Sequence, residues 1–123
     1  MKDSTFDPDA VVASARAADG LEDFGDDSYR QPLEQLLWSL EHEARLNATG
    51  RAVLRQRMVD ILATRLRVQH YLQRFPEIDD EEISAPLFIV GLPRTGTTML
   101  HRTIAADHRM YAPLWYEVRY PSP

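Results

Sequence analysis

The chain has 123 residues, 44% apolar and 27% charged, which is the size and balance of one globular domain and excludes a disordered or fibrous chain. It contains no cysteine, no apolar run long enough to span a membrane and, in residues 1–20, no apolar block of a secretory signal; disulfides and thiolate metal sites are excluded, and a cytoplasmic location is expected. The formal charge of −5 is uneven, with eight acidic against two basic side chains in residues 1–28 and a slight basic excess after them, so general nucleic-acid binding is not expected.

Residues 7–20 predict a short helix. Asp7 caps it, Pro8 suits its first turn, the run from Ala10 to Ala18 is small and helix-compatible, and Gly20 ends it. Leu21 to Asp27 is an acidic connection. Ser28 and Gln31 have capping-box spacing, with Pro32 tolerated in the first turn. Leu33, Leu36, Leu37, Leu40 and Ala44 then recur at helical spacing and predict an amphipathic helix over about 30–46. Asn47-Ala48-Thr49-Gly50 breaks the pattern as a turn; it also matches a glycosylation sequon, but without a secretory signal the turn is the reading.

A longer helix follows over about 50–74. Leu54, Met58, Ile61, Leu62, Leu66 and Leu72 repeat on one side, and Arg51, Arg55, Arg57, Arg65, Arg67 and Arg74 stand against a single Asp60 elsewhere. These arginines are expected to be solvated or paired with the acidic leader, making residues 7–74 one helical unit. Phe75-Pro76 stops the helix and Glu77 to Ala85 is an acidic linker, so a helical leader region is drawn over 1–85 and a second region over 86–123. Leu87-Phe88-Ile89-Val90 is a continuous apolar run ending at Gly91, the pattern of a strand covered on both faces. A helical pattern resumes after Gly96 through Met99, Leu100, Thr103 and Ile104 to near Asp107.

Strand, glycine turn and helix form the layout of a phosphate cradle. A helix N-terminus presents unpaired N–H groups and a partial positive charge to an anion, and glycine lets the backbone wrap close to it. The spacing from Gly91 to Gly96 and on to Thr98 is that of a nucleotide P-loop, except that Thr97 stands where nucleoside triphosphatases require Lys. The positive charge sits instead in the loop, as Arg94, where a bidentate guanidinium suits an anionic leaving group.

Gly91-Leu92-Pro93-Arg94-Thr95-Gly96-Thr97-Thr98-Met99-Leu100 resembles the 5′-phosphosulfate-binding loop of sulfotransferases, which move a sulfuryl group from 3′-phosphoadenosine 5′-phosphosulfate to a hydroxyl or amine. The resemblance reaches upstream through Gly20-Leu21-Glu22-Asp23-Phe24-Gly25-Asp26 and Leu46 to Leu66, which look like the leader of bacterial members, and downstream through Ala112-Pro113-Leu114-Trp115-Tyr116-Glu117. It implies an α/β fold, a P-loop-type parallel sheet with flanking helices, of which this chain would hold the helical leader, first strand, phosphate loop and first helix. It implies that Arg94 steadies the leaving phosphate and that Thr95, Gly96, Thr97 and Thr98 hold the same group. Glu117, 23 residues after Arg94, stands at a distance comparable to that of a base in the tyrosylprotein and heparan types, and the implied role is general base toward the acceptor. A small-molecule acceptor is implied, and no metal is required because sulfuryl transfer leaves the protein mainly positioning and charge stabilisation to supply. His101 and His108 are read as surface or packing residues.

A second strand of equal strength is missing, and one strand alone cannot pair its backbone groups. The region for the donor's 3′-phosphate would lie beyond Pro123, so the sequence reads as the N-terminal fragment of a sulfotransferase-like protein, from a truncated gene or gene model, and inactive alone. Two other readings stand beside it: another P-loop nucleotide-binding enzyme of the kinase kind, and a helical interaction module whose loop is vestigial.

Overall fold

Helices account for all the regular structure among the described residues, 4–122, of the computed structural model. They are α1 (Pro8–Asp19), α2 (Arg30–His42), α3 (Ala48–Arg74), α4 (Thr97–Ala105) and α5 (Trp115–Arg119), with 3-10 turns at Asp27–Tyr29 and Pro76–Asp80. The chain divides into two units, one running through Pro76 and one from Glu77 to Pro121. None of the helices is long and apolar enough to cross a membrane.

In the first unit each helix start has a local cause. Asp7 accepts the Ala10 N–H at 2.9 Å, Pro8 opens α1, and Gly20 closes it at φ 67°, donating to Arg16 O at 2.9 Å. The Ser28–Gln31 capping box does not form. Ser28 lies inside the 3-10 turn, where Asp26 accepts its N–H at 2.8 Å, and α2 begins two residues later with no side-chain cap. α2 ends at His42, short of the expected 46, and Arg45 then takes a left-handed φ of 48°. Asn47, read from sequence as part of a turn, is the cap of α3, accepting the Gly50 N–H at 2.7 Å, so that helix starts at Ala48.

The core is made by Val11, Val12 and Ala15 of α1, Leu33 and Leu37 of α2, and Met58, Val59, Leu62, Ala63 and Leu66 of α3, closed by Phe6 and Phe24. Leu36 and Ile61, placed on the apolar sides by spacing, are about half exposed. The contact stripe is narrower than the sequence pattern, and small Ala63 beside Val59 lets the helices meet there. Polar residues of α3 reach the acidic leader as expected. Arg67 pairs with Asp19 at 3.1 Å, Arg55 donates to Ser14 Oγ at 2.9 Å, and Arg65 donates to the carbonyls of Phe24 and Asp26 at 2.8 and 3.0 Å. Gln73 donates to Asp23. These contacts are partly solvated, so each contributes at most about 1 kcal/mol.

The second unit corrects the expected first strand. Leu87 to Val90 forms no strand; Leu87, Phe88 and Val90 are 58%, 80% and 92% exposed. The apolar pattern is present, but a ladder needs a neighbouring backbone, and none pairs with this segment among the described residues. α4 ends at Ala105, just before the expected Asp107. α5, a helix that the sequence patterning did not indicate, starts where Glu117 accepts the Leu114 N–H at 2.6 Å.

Hydrogen bonds from Arg51 and Ser4 hold the Glu41 carboxyl below the usual carboxylate range. Its folded value thus lies below its unfolded one, so the stabilisation is complete above the unfolded value and is lost as pH falls through the folded one. Glu41→Gln is expected to lower the thermal midpoint at neutral pH and leave it nearly unchanged at pH values below both. Parallel acid titrations of the helical signal that stay superimposed throughout would remove this pair from the account of stability.

Candidate functional site

The turn from Gly91 to Gly96 depends on two residues that carry no side chain. A Cβ on Gly91 would come within 2.8 Å of Thr97 Cγ2 and 2.9 Å of Thr95 Oγ1, closer than ordinary packing permits. Thr95 Oγ1 donates to the Leu92 carbonyl at 2.6 Å and closes the turn. Arg94 is held at a left-handed φ of 68°, a conformation that costs a non-glycine residue about 1–3 kcal/mol and gathers at functional sites. Gly96, at φ 90°, is the cap of α4 and offers no side-chain acceptor. The first bond of the helix proper is Leu100 N–H to Gly96 O at 3.1 Å. The amides of Thr97, Thr98 and Met99 are therefore left for an acceptor outside the helix, at its positive end.

A groove of about 580 Å³ lies over these amides, lined by Arg94, Gly96, Thr97, Thr98, Met99, Arg102 and Thr103. Of the residues singled out from sequence, it brings together Arg94, Gly96, Thr97 and Thr98. Thr95 and Glu117 are not in its lining. Thr95 has its hydroxyl committed to the turn. Arg102 was missed, although its position four residues after Thr98 puts both on one helix face. Among the described residues neither Arg94 nor Arg102 has a carboxylate in ion-pair range. Two guanidinium groups and three free amides make a site for an oxyanion with several acceptor oxygens.

Glu117 lies at the third position of α5. Its Oε2 accepts from Leu114 N at 2.6 Å and from the Tyr111 hydroxyl at 3.1 Å. That hydrogen bond and the carboxylate's charge push the Tyr111 phenol above its ordinary value. Among the described residues, Oε1 of Glu117 has no hydrogen-bond partner. No cluster of His, Asp and Glu among the described residues is arranged to hold a metal ion.

Comparison with known proteins gives two findings. Residues 86–121 match the Sulfotransferase family. The crystal structure of the sulfotransferase STF1 from Mycobacterium tuberculosis H37Rv is similar at a TM-score of 0.84 and 38% sequence identity, over 94% of this chain and 32% of that one. The chain thus spans about a third of the length of the enzyme it matches. No curated protein matches the sequence.

Arg94→Gly separates charge from backbone, because glycine accepts the left-handed conformation that arginine is forced into. Pyrophosphate affinity measured by calorimetry is expected to fall about tenfold or more, the loss of at least one charge-assisted hydrogen bond, while amide shifts of residues 95–98 show the helix start intact. Unchanged affinity would withdraw the anion-binding role of Arg94.

Proposed function

Because this chain belongs to the sulfotransferase family, we propose that it supplies the donor-binding loop of an enzyme moving a sulfuryl group from 3′-phosphoadenosine 5′-phosphosulfate to a hydroxyl or amine acceptor. The observation that carries the reading is the pairing of Arg94 and Arg102 with the uncapped start of α4 in one groove. The glycine at position 91, where a Cβ would collide, and the glycine cap at 96 leave the backbone open to the 5′-phosphosulfate. These residues fit the group by its charge and by its number of acceptor oxygens.

When bound, the donor supplies a sulfur activated by an adenosine bisphosphate leaving group. The chain's own residues then have separate tasks. The amides of Thr97, Thr98 and Met99 and the Thr97 and Thr98 hydroxyls hold oxygens at the positive end of α4. Thr95 contributes through its backbone N–H, since its hydroxyl closes the turn. Arg94 stabilises the negative charge that grows on the leaving oxygen, a contribution that rises toward the transition state. Glu117 keeps Oε1 free to accept the acceptor's proton while Leu114 and Tyr111 hold Oε2. Amides and guanidinium groups occupy the place that a lysine and Mg²⁺ take in nucleoside triphosphatases, whose motif Thr97 does not satisfy.

The reading extends to the surroundings of the loop. The apolar run Leu87 to Val90 becomes the first strand of a P-loop-type parallel sheet with flanking helices, which supplies the ladder the segment lacks here. The acceptor is a small molecule, nucleic acid is no partner, and the location is cytoplasmic. Transfer is a property of the assembled catalytic domain, to which this segment brings the donor loop.

Calorimetry with adenosine 3′,5′-bisphosphate in the presence of a chelator is expected to show binding that Arg94→Ala weakens. Tighter binding of ATP with a strict need for Mg²⁺ would reject the sulfotransferase mechanism in favour of a kinase-like one. In the catalytic domain, Glu117→Gln is expected to lower kcat by about a hundredfold or more with donor affinity unchanged, because the amide keeps the shape but accepts no proton. Turnover close to wild type would move the base to another residue.

A further inference from the structure

Between Pro86 and Pro93 the chain runs without a turn or bend, and no backbone hydrogen bond engages Leu87 to Gly91 among the described residues. Phe88 and Val90, alternate residues of that run, are 80% and 92% exposed. An extended segment with unpaired N–H and C=O groups is an open template for a second strand. Charge in this unit is divided along the chain. Glu77, Asp79, Asp80, Glu81 and Glu82 precede the run, with no basic side chain between Arg74 and Arg94, and no ion pair engages them among the described residues. Arg94 and Arg102, beside the open amides of Thr97 and Thr98, follow it. The run therefore joins an acidic stretch that lacks cations to a cationic loop that lacks anions.

We propose that the run is a self-association edge, on which a second copy of this chain pairs antiparallel and closes a two-fold dimer. Antiparallel pairing sets the acidic stretch of each copy beside the other's loop, whereas parallel pairing would set acid against acid. The prolines and the loop choose the register. Two-fold symmetry requires the central residue to face itself, because facing pairs alternate between bonded and non-bonded along the ladder. Ile89 meets that requirement, with Leu87 facing Gly91 of the second copy, and these residues exchange N–H and C=O bonds. Pro86 then falls where an N–H would point away from the ladder, so none is missed. The alternative edge would need the Leu92 carbonyl, which Thr95 Oγ1 already occupies at 2.6 Å. In the Ile89 register Phe88 lies across from Val90 of the second copy, an aromatic and β-branched pair on the side that is bare in the monomer. Glu81 and Glu82 come toward Thr97 and Gly96 of the second copy, where the amides are open. The acidic stretch thus competes for the groove with any oxyanion, whichever one the loop takes. A sheet that flanks the run on both sides, as in the assembled domain proposed above, excludes the dimer.

The test is sedimentation of the whole chain over a range of concentrations, with amide exchange read by NMR. A two-stranded ladder is a small interface, so a reversible monomer–dimer equilibrium is expected, weaker at high salt. In the dimer the Leu87, Ile89 and Gly91 amides are expected to be protected, while those of Phe88 and Val90 exchange freely. Val90→Lys puts a charge on the bare face and is expected to leave a monomer with an unchanged helical signal. Ile89→Pro, which removes the central N–H, is expected to do the same. Glu81→Gln combined with Glu82→Gln is expected to raise the dissociation constant about tenfold and to flatten its salt dependence. Inorganic pyrophosphate is expected to dissociate the wild-type dimer and to have little effect on that of the double variant. A monomer at every concentration, protection at Phe88 and Val90 instead, or growth into larger species with all five amides protected overturns the proposal. A dimer insensitive either to the two glutamate substitutions or to pyrophosphate also overturns it.

Discussion

A helix must hand its first amides to something, and at the start of α4 nothing in the helix takes them. Had residue 96 been Asp or Ser, its side chain would have accepted one of those N–H groups and reduced the positive end of the helix. Gly96 leaves them open. The rest of the site follows from that opening. Gly91 keeps the turn tight enough to face it, Thr95 locks the turn through Leu92, and the left-handed backbone at Arg94 brings a guanidinium to its edge. Arg102, on the face that Thr98 begins, adds the second charge.

The first unit treats the same constraint in the opposite way. Asp7, Asp26 and Asn47 each accept an amide at the start of a helix or turn, so those ends are filled from within the chain. Four of the arginines of α3 are also engaged: Arg51, Arg55, Arg65 and Arg67 meet Glu41, Ser14, the leader backbone and Asp19. A helix that reads as a basic surface in the sequence therefore acts as a polar clamp on an acidic leader. The start of α4 differs from those of α1 and α3 in having no side chain that accepts its first amides.

Glu117 has a structural task that uses only one of its two oxygens. As the third residue of α5 it caps a helix whose N-cap position is Leu114, a residue with no acceptor of its own. That task uses Oε2 and fixes the side chain, leaving Oε1 with no partner among the described residues. In the proposed mechanism, a base held by structural hydrogen bonds would lose less freedom when it acts than one on a mobile chain.

The local features were legible in the sequence because their causes are local. Asp7, Pro8 and Gly20 bound α1 by contacts within a few residues, and the order apolar run, Gly91, Gly96, Thr97, Thr98 marks an anion site through backbone chemistry alone. Where several local solutions compete, spacing misled: Asp26 took the amide that the Ser28–Gln31 box was expected to use, and Asn47 proved a cap as well as a turn residue. What only the tertiary structure decided depends on residues far apart in the chain or on side-chain direction. Packing chose Val59 and Ala63 over Ile61 for the core, and the turning of α4 placed Arg102 in the groove while Thr95 turned its hydroxyl away. Leu87 to Val90 marks the limit most plainly: its pattern is that of a strand, but a strand is made by its neighbours, and a sequence segment cannot supply the ladder it pairs with.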